Sequence, residues 1–182
     1  MYVCLSVCVS RWLIVRGRLT PQCVCKSACM SVYVCVYVCV SRWLYWSDWG
    51  HVAIIARAGM DGSHRDVVVR GGLMWPNSLS VDYQRHRLYW TDAGLQRIES
   101  SRLDGTDRKI LLSEGVPHPF GIAVHDDLIY WTDWVTHNIE SANKLNGSDR
   151  QVVLSGLEDL MDIRVFNRRW PTGGYDLILA VF

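Results

Sequence analysis

Beyond residue 39 the chain contains no cysteine. Its seven cysteines, Cys4, Cys8, Cys23, Cys25, Cys29, Cys35 and Cys39, crowd one end, and an odd, one-ended set is not a disulfide framework for 182 residues. A zinc site is excluded as well. Cys23 and Cys25 are too close for a knuckle, and no histidine lies among the first forty residues. Redox compartment therefore cannot be read from cysteine. An excess of one charge is also missing: the formal net charge is +1. There is no basic field to suit a nucleic acid and no acidic tail. Phenylalanine is scarce, at three against nine tryptophans and eight tyrosines. Amphipathic aromatics in that proportion suit packed β-sheets with wet edges. No segment after residue 42 keeps a helical period. Nor is there a phosphate loop, a Ser/His/Asp set in motif context or metal-ligand spacing, so neither a catalytic residue nor a cofactor is implied.

Residues 1–41 are a different text from the rest, written in Val, Cys, Tyr and Ser. The clearest stretch alternates from Ser31 to Val40. Three readings fit it. Arg11, Arg16, Arg18 and Lys26 precede an apolar run, Ala28 to Val40, of signal-peptide length and too short to span a membrane, but no small-x-small cleavage site follows. Strict alternation also fits a β-strand, one that would aggregate if left exposed. Finally, a TG-rich tandem DNA repeat translates into this Cys-Val and Tyr-Val monotony, which needs no packed core. The segment is expected to lie outside the fold.

From residue 42 an internal repeat governs the chain. Tyr45-Trp46-Ser47-Asp48, Tyr89-Trp90-Thr91-Asp92 and Tyr130-Trp131-Thr132-Asp133 start 44 and then 41 residues apart. Asp61-Gly62-Ser63, Asp104-Gly105-Thr106 and Asn146-Gly147-Ser148 keep the same beat, each followed by an apolar triplet. After each triplet comes Trp75-Pro76-Asn77, His118-Pro119-Phe120 or Leu160-Met161-Asp162. A period of about 42 residues with several short strands is the signature of a propeller blade. In the middle unit strands are expected near 79–83, 87–91, 96–103 and 108–112. Asp-Gly between two of them marks a hairpin, because its turn requires φ > 0. The Tyr-Trp pair points to opposite faces of strand 2, and the Asp ends that strand, where its carboxylate suits turn N–H groups.

These residues resemble the YWTD, or class B, repeats of the low-density-lipoprotein receptor family, from Arg42 to Arg169. Finer details are similar to the receptor-related co-receptors of Wnt or agrin signalling, above all the run from Leu160 to Arg169. The resemblance implies an all-β fold, a partial β-propeller with about three of the family's six blades, each a four-stranded antiparallel sheet. It implies three domains of text: 1–41 low-complexity, 42–169 three repeats, 170–182 a divergent tail. The expected strand count is twelve: three, two full blades, then one. The family follows its propeller with a Cys-rich EGF-like module, whereas here Trp170-Pro171-Thr172-Gly173-Gly174-Tyr175 follows, without cysteine. Ser47, Ser78 and Ala56 also depart from the pattern, the last where an acidic residue is common.

The implied role is a binding scaffold, not an enzyme: part of the ectodomain of a single-pass receptor, outside the plasma membrane. Its expected partners are a protein or peptide ligand, of Asn-x-Ile type by resemblance, together with the remaining blades and the EGF-like neighbour. Strand 2–3 turns and strand 4–1 connections should share one face, collecting Trp49, His51, Trp75, Asn77, His118, Phe120, Trp134 and His137. By resemblance Trp75, Asn77 and Phe120 match ligand-binding positions, and His118 matches a site of acid release whose second member is Gln96 here. Equally, these phrases only shape the connection. Asn146 starts an N-glycosylation sequon in a turn. The alternatives are a truncated gene-model fragment without function and, less favoured, a propeller hydrolase with Asp48, Asp92 and Asp133 gathered at the axis.

Overall fold

The computed structural model describes residues 34–40, 43–158, 160–169 and 175–181, with side chains from 43–158 and 160–165. Among them the chain forms strands only. The first sheet has the order β1 (Val34–Val40), β2 (Trp43–Asp48), β3 (Ile54–Gly59), β4 (Asp66–Arg70). The second runs β5 (Pro76–Asp82), β6 (Arg87–Asp92), β7 (Arg97–Arg102), β8 (Lys109–Leu112). The third runs β9 (Pro119–His125), β10 (Leu128–Asp133), β11 (Asn138–Asn143), β12 (Gln151–Leu154). A two-stranded sheet of β13 (Ile163–Arg169) and β14 (Tyr175–Val181) follows. All pairings are antiparallel meanders, as the all-β blade reading requires.

Local chemistry explains the breaks. Gly62, Gly105 and Gly147 take φ of +83°, +86° and +72° in the strand 3–4 turns. In each turn the preceding Asp or Asn oxygen accepts the N–H two residues on: Ser63 to Asp61 at 3.0 Å, Thr106 to Asp104 at 3.0 Å, Ser148 to Asn146 at 3.1 Å. The Ser63 and Thr106 side-chain and backbone bonds also hold the exposed Asp61 and Asp104 carboxyls below their ordinary range.

Two expectations need correction. Val34–Val40, in the segment expected outside the fold, pairs with β2 and makes the first sheet four-stranded. Tyr175–Val181, in the expected tail, pairs with β13. Fourteen strands are therefore described where twelve were expected. In both cases an alternating or apolar segment meets a strand edge whose N–H and C=O groups need partners. Residues 1–33, and any targeting role for them, lie outside the described residues.

The core lies between sheets. One cluster joins Tyr45, Ile55, Val68 and Val69 of the first sheet to Leu79, Val81, Leu88 and Trp90 of the second. The next joins Tyr89, Ile98 and Leu111 to Ile122, Ile129, Trp131 and Ala142 of the third. A smaller one sets Tyr130 and Ile139 against Leu160 and Ile163. The second sheet thus buries both faces, and strand 2 is almost wholly enclosed in the second and third.

Candidate functional site

Each letter of the repeated motif makes a distinct contact. The Tyr packs toward the following sheet and the Trp toward the preceding one, so Tyr45 meets the cluster of Trp90, and Tyr89 that of Trp131. Trp90 and Trp131 are fully buried, whereas Trp46 is only partly so. Burial also raises the Tyr89 and Tyr130 phenol pKa values. The Thr bridges sheets. Thr91 Oγ1 accepts from Ser78 N (3.2 Å) and donates to Phe120 O (2.5 Å). Thr132 Oγ1 likewise accepts from Gly121 N (2.8 Å) and donates to Met161 O (3.0 Å). That equivalence aligns Met161 with Phe120, one residue off the spacing read from sequence, because the preceding connection is one residue shorter.

The Asp does more than end a strand. Asp92 accepts Leu95 N (3.0 Å) in its turn and also Met74 N (2.8 Å) and Trp75 N (3.0 Å) from the connection. Asp133 accepts Val135 N (2.9 Å), Thr136 N (3.1 Å) and His118 N (2.9 Å). Asp48 accepts Gly50 N at 2.9 Å. Each buried carboxylate of the second and third sheets therefore ties a 2–3 turn to a 4–1 connection, and main-chain bonds Ala93 N to Trp75 O and Trp134 N to His118 O (both 3.1 Å) complete the join.

This join builds the aromatic face. His118 and Phe120 both stack on Trp134, at 5.1 Å and 4.8 Å with interplanar angles of 4° and 6°. The Trp134 indole N–H donates to Leu160 O. Trp75 is 46% exposed and Trp134 39%. Trp49 is partly buried and His51 exposed on the corresponding turn of the first sheet. Asn77 differs from its neighbours: it is 5% exposed, and its amide donates to Pro119 O at 3.3 Å. It lies beneath the surface, holding the starts of β5 and β9 together. His137 and Gln96 occupy the same turn position with φ of 57° and 52°. Asn146 is exposed at its turn.

Sequence reading missed two sets of charges. Arg108 lies over Trp90 (5.4 Å), and its guanidinium grips Glu99 at 2.7 and 2.9 Å and the carbonyls of Gly71 (2.8 Å) and Gly72 (2.6 Å). Arg97 adds a third bond to Glu99 at 2.8 Å. Arg150 repeats the arrangement over Trp131 (5.3 Å), with Glu140 at 2.6 Å and the carbonyls of Glu114 and Gly115 at 2.7 and 2.5 Å. The signal was present: Arg65, Arg108 and Arg150 share one phase, and Glu99 and Glu140 another. The second set is a buried pair, Lys144 Nζ to Asp82 Oδ2 at 2.7 Å, joining the second and third sheets. Lys144 also donates to Asp126 O. Burial opposes ionisation of Asp82, but Lys144 and the N–H groups of Arg85 and Gln84 outweigh it and hold the carboxyl below its ordinary value. The opposite face has an open cleft lined by Arg57, Arg85 and Arg87, whose charges face Asp66 (3.5 Å), Asp127 (3.6 Å) and Asp107 (2.7 Å). Among the described residues no group of three or more His, Cys, Asp or Glu side chains is placed to hold a metal.

Residues 42–83, 86–125 and 127–173 match the low-density lipoprotein receptor repeat class B. The chain is 51% identical over 125 residues to human low-density lipoprotein receptor-related protein 4, an alignment covering 69% of this chain and 6% of that protein. Among solved structures it is similar to the nidogen/laminin complex, with TM-score 0.63 and 31% identity over 69% of this chain and 49% of that one. A gluconolactonase of Xanthomonas campestris is similar in fold alone, with TM-score 0.59 and 14% identity over 70% of this chain and 48% of that one. The chain thus spans a small part of its receptor relative and about half of each structural neighbour.

Proposed function

Since the chain belongs to the low-density lipoprotein receptor class B repeat family, we propose that it is a protein-binding module of a receptor-related ectodomain, working outside the plasma membrane in Wnt- or agrin-type signalling. The observation that carries this reading is the His118–Trp134–Phe120 stack, together with exposed Trp75, on loops anchored by Asp92 and Asp133. Rigid aromatics on anchored loops give large contact area with little ordering cost. The ligand is a peptide segment, of Asn-x-Ile type, laid across Trp75, Phe120, Trp134 and His118, with Trp49 extending the surface. Asn77 positions the start of β5 against that of β9. Asp48, Asp92 and Asp133 accept backbone N–H groups, which supports binding over hydrolysis. No helix among the described residues is long and apolar enough to cross a membrane. Asn146, exposed in its turn, carries a glycan when the chain passes through the secretory pathway.

The test is fluorescence polarisation with a labelled Asn-x-Ile peptide. Trp75→Ala and Trp134→Ala should each weaken binding about tenfold or more, a loss of 1.4 kcal/mol or above. Unchanged affinity in both, with the fold intact by circular dichroism, refutes the site.

A further inference from the structure

The cleft opposite the aromatic face does not follow the repeat. It lies at the internal junction of the first and second sheets and has a volume of about 490 Å³, within the range of pockets that hold small ligands. Opposite the motif Tyr, strand 3 carries Arg57 in the first sheet, but Ser100 in the second and Ser141 in the third. The pair that joins the start of strand 2 to the end of strand 3 is Arg87–Arg102 in the second sheet. It is Trp43–Gly59 in the first and Leu128–Asn143 in the third. Residues that build the blades recur in phase, as Arg108 and Arg150 do. The cleft arginines occur once each, so the blade architecture does not call for them.

Their charges are not neutralised within the cleft. Arg57, Arg85, Arg87 and Arg102 line it against two aspartates, Asp104 and Asp107. Like charges directly opposite on paired strands repel, and Arg87 and Arg102 are such a pair. Asp107 is taken by Arg87 at 2.7 Å, and Asp104 accepts Thr106 N and Oγ1 at 3.0 and 2.6 Å. At the rim, Asp66 stands 3.5 Å from Arg57 and Asp127 3.6 Å from Arg85, with carboxylate side chains 62% and 75% exposed. Exposed pairs of that kind hold weakly and yield to a stronger anion. Arg57 Nε is buried without a hydrogen-bond partner. Arg102, exposed at its strand end, makes no ion pair among the described residues.

We propose that this cleft binds a sulfated polysaccharide chain, whose sulfate esters and carboxylates are taken by the guanidiniums of Arg57, Arg85 and Arg102. A guanidinium fork matches two oxygens of one anion, and every cation of fixed charge on the wall is an arginine. The floor is preformed: Leu103 O accepts Tyr45 Oη at 3.1 Å and Arg57 Nη1 at 3.2 Å. Leu103 is also the one apolar residue among those lining the cleft. A protein partner would need buried apolar anchors at the centre of its contact, whereas a hydroxylated polyanion does not. The choice of sulfate over phosphate rests on the proposed extracellular setting, but the cleft itself is independent of the aromatic face.

Calorimetric titration of the full chain with a heparin hexasaccharide tests this. Binding is expected at micromolar concentrations and should weaken steeply with added salt, while the desulfated hexasaccharide should not bind. Arg85→Ala combined with Arg102→Ala should weaken binding at least about tenfold with the circular dichroism spectrum unchanged, and Arg102→Lys alone should lose less. Arg70→Ala, exposed at the end of β4 far from Asp66, and Trp75→Ala, on the aromatic face, should bind like wild type. A wild-type chain that does not bind overturns the proposal. So does binding indifferent to the double change, an equal loss in Arg70→Ala, or a preference for tripolyphosphate or a glutamate peptide. A chain that takes the hexasaccharide but no Asn-x-Ile peptide keeps this site and loses the other.

Discussion

The first and second sheets carry the same motif in different surroundings. Trp90 is sealed between Tyr45's cluster on one side and Arg108 on the other, with Glu99 fixing the arginine. Trp46 has Arg65 above it, but Ala56 stands at the register position of Glu99: Ala56 pairs Trp46 as Glu99 pairs Trp90. The comparison teaches that the motif alone does not make a closed junction. Closure needs a preceding sheet to supply carbonyls and apolar surface, and a carboxylate to hold the arginine flat on the indole.

The largest expected effect breaks the closed case. Trp90→Ala should lower unfolding free energy by about 3–5 kcal/mol in urea titrations, and Trp46→Ala by about 1–2 kcal/mol, since its indole is already partly wet. Equal losses would erase the distinction. Next comes the buried pair of the second junction. Lys144→Met leaves Asp82 buried without its cation and should cost about 3 kcal/mol. The pair also sets a pH dependence. Asp82 has a lowered pKa when folded, so its contribution is complete above the unfolded value of about 3.9 and fades as pH falls through the folded value. Acid melts of Lys144→Met should lose that part of the slope.

Smaller changes sharpen the comparison. Glu99→Ala should cost about 1.5–3 kcal/mol, because it frees both Arg97 and Arg108 from a buried carboxylate. Installing the missing group, Ala56→Glu, should help least, by about 0.5 kcal/mol, since Arg65 is exposed to solvent. A gain as large as the Glu99 loss would show that the first sheet is closed after all.

Much of the fold was legible because it is local. Strand 2 of each repeat, the Asp-Gly and Asn-Gly turns and the middle unit's last three strands follow from alternation and from φ > 0 chemistry, both written in short windows. That unit's first strand starts at Pro76, earlier than the expected 79, because Pro76 pairs with Asp92 of β6 and Asn77 bonds to Pro119 of β9 rather than forming a free connection. The site was legible only as a set of loops. That Trp75, His118, Phe120 and Trp134 share a face came from strand direction. That Asn77 is buried beneath it did not, because its partner Pro119 is 42 residues away. Long separation in sequence likewise hid Arg108 with Gly71 and Asp82 with Lys144. β1 was read as a strand on its alternation but placed outside the fold, and β14 was missed because divergent text gave no motif, although a bare strand edge accepts any extended segment.

The sequence by itself determined the repeat, its phase and its family, since these depend on residue types at fixed intervals. Only the tertiary structure decided which copies of the motif are enclosed, which arginine has acceptors and which aromatics remain in water. Those outcomes depend on what lies on the adjoining sheet, and backbone carbonyls and packed surfaces contribute there without leaving any mark in the spacing of the residues they hold.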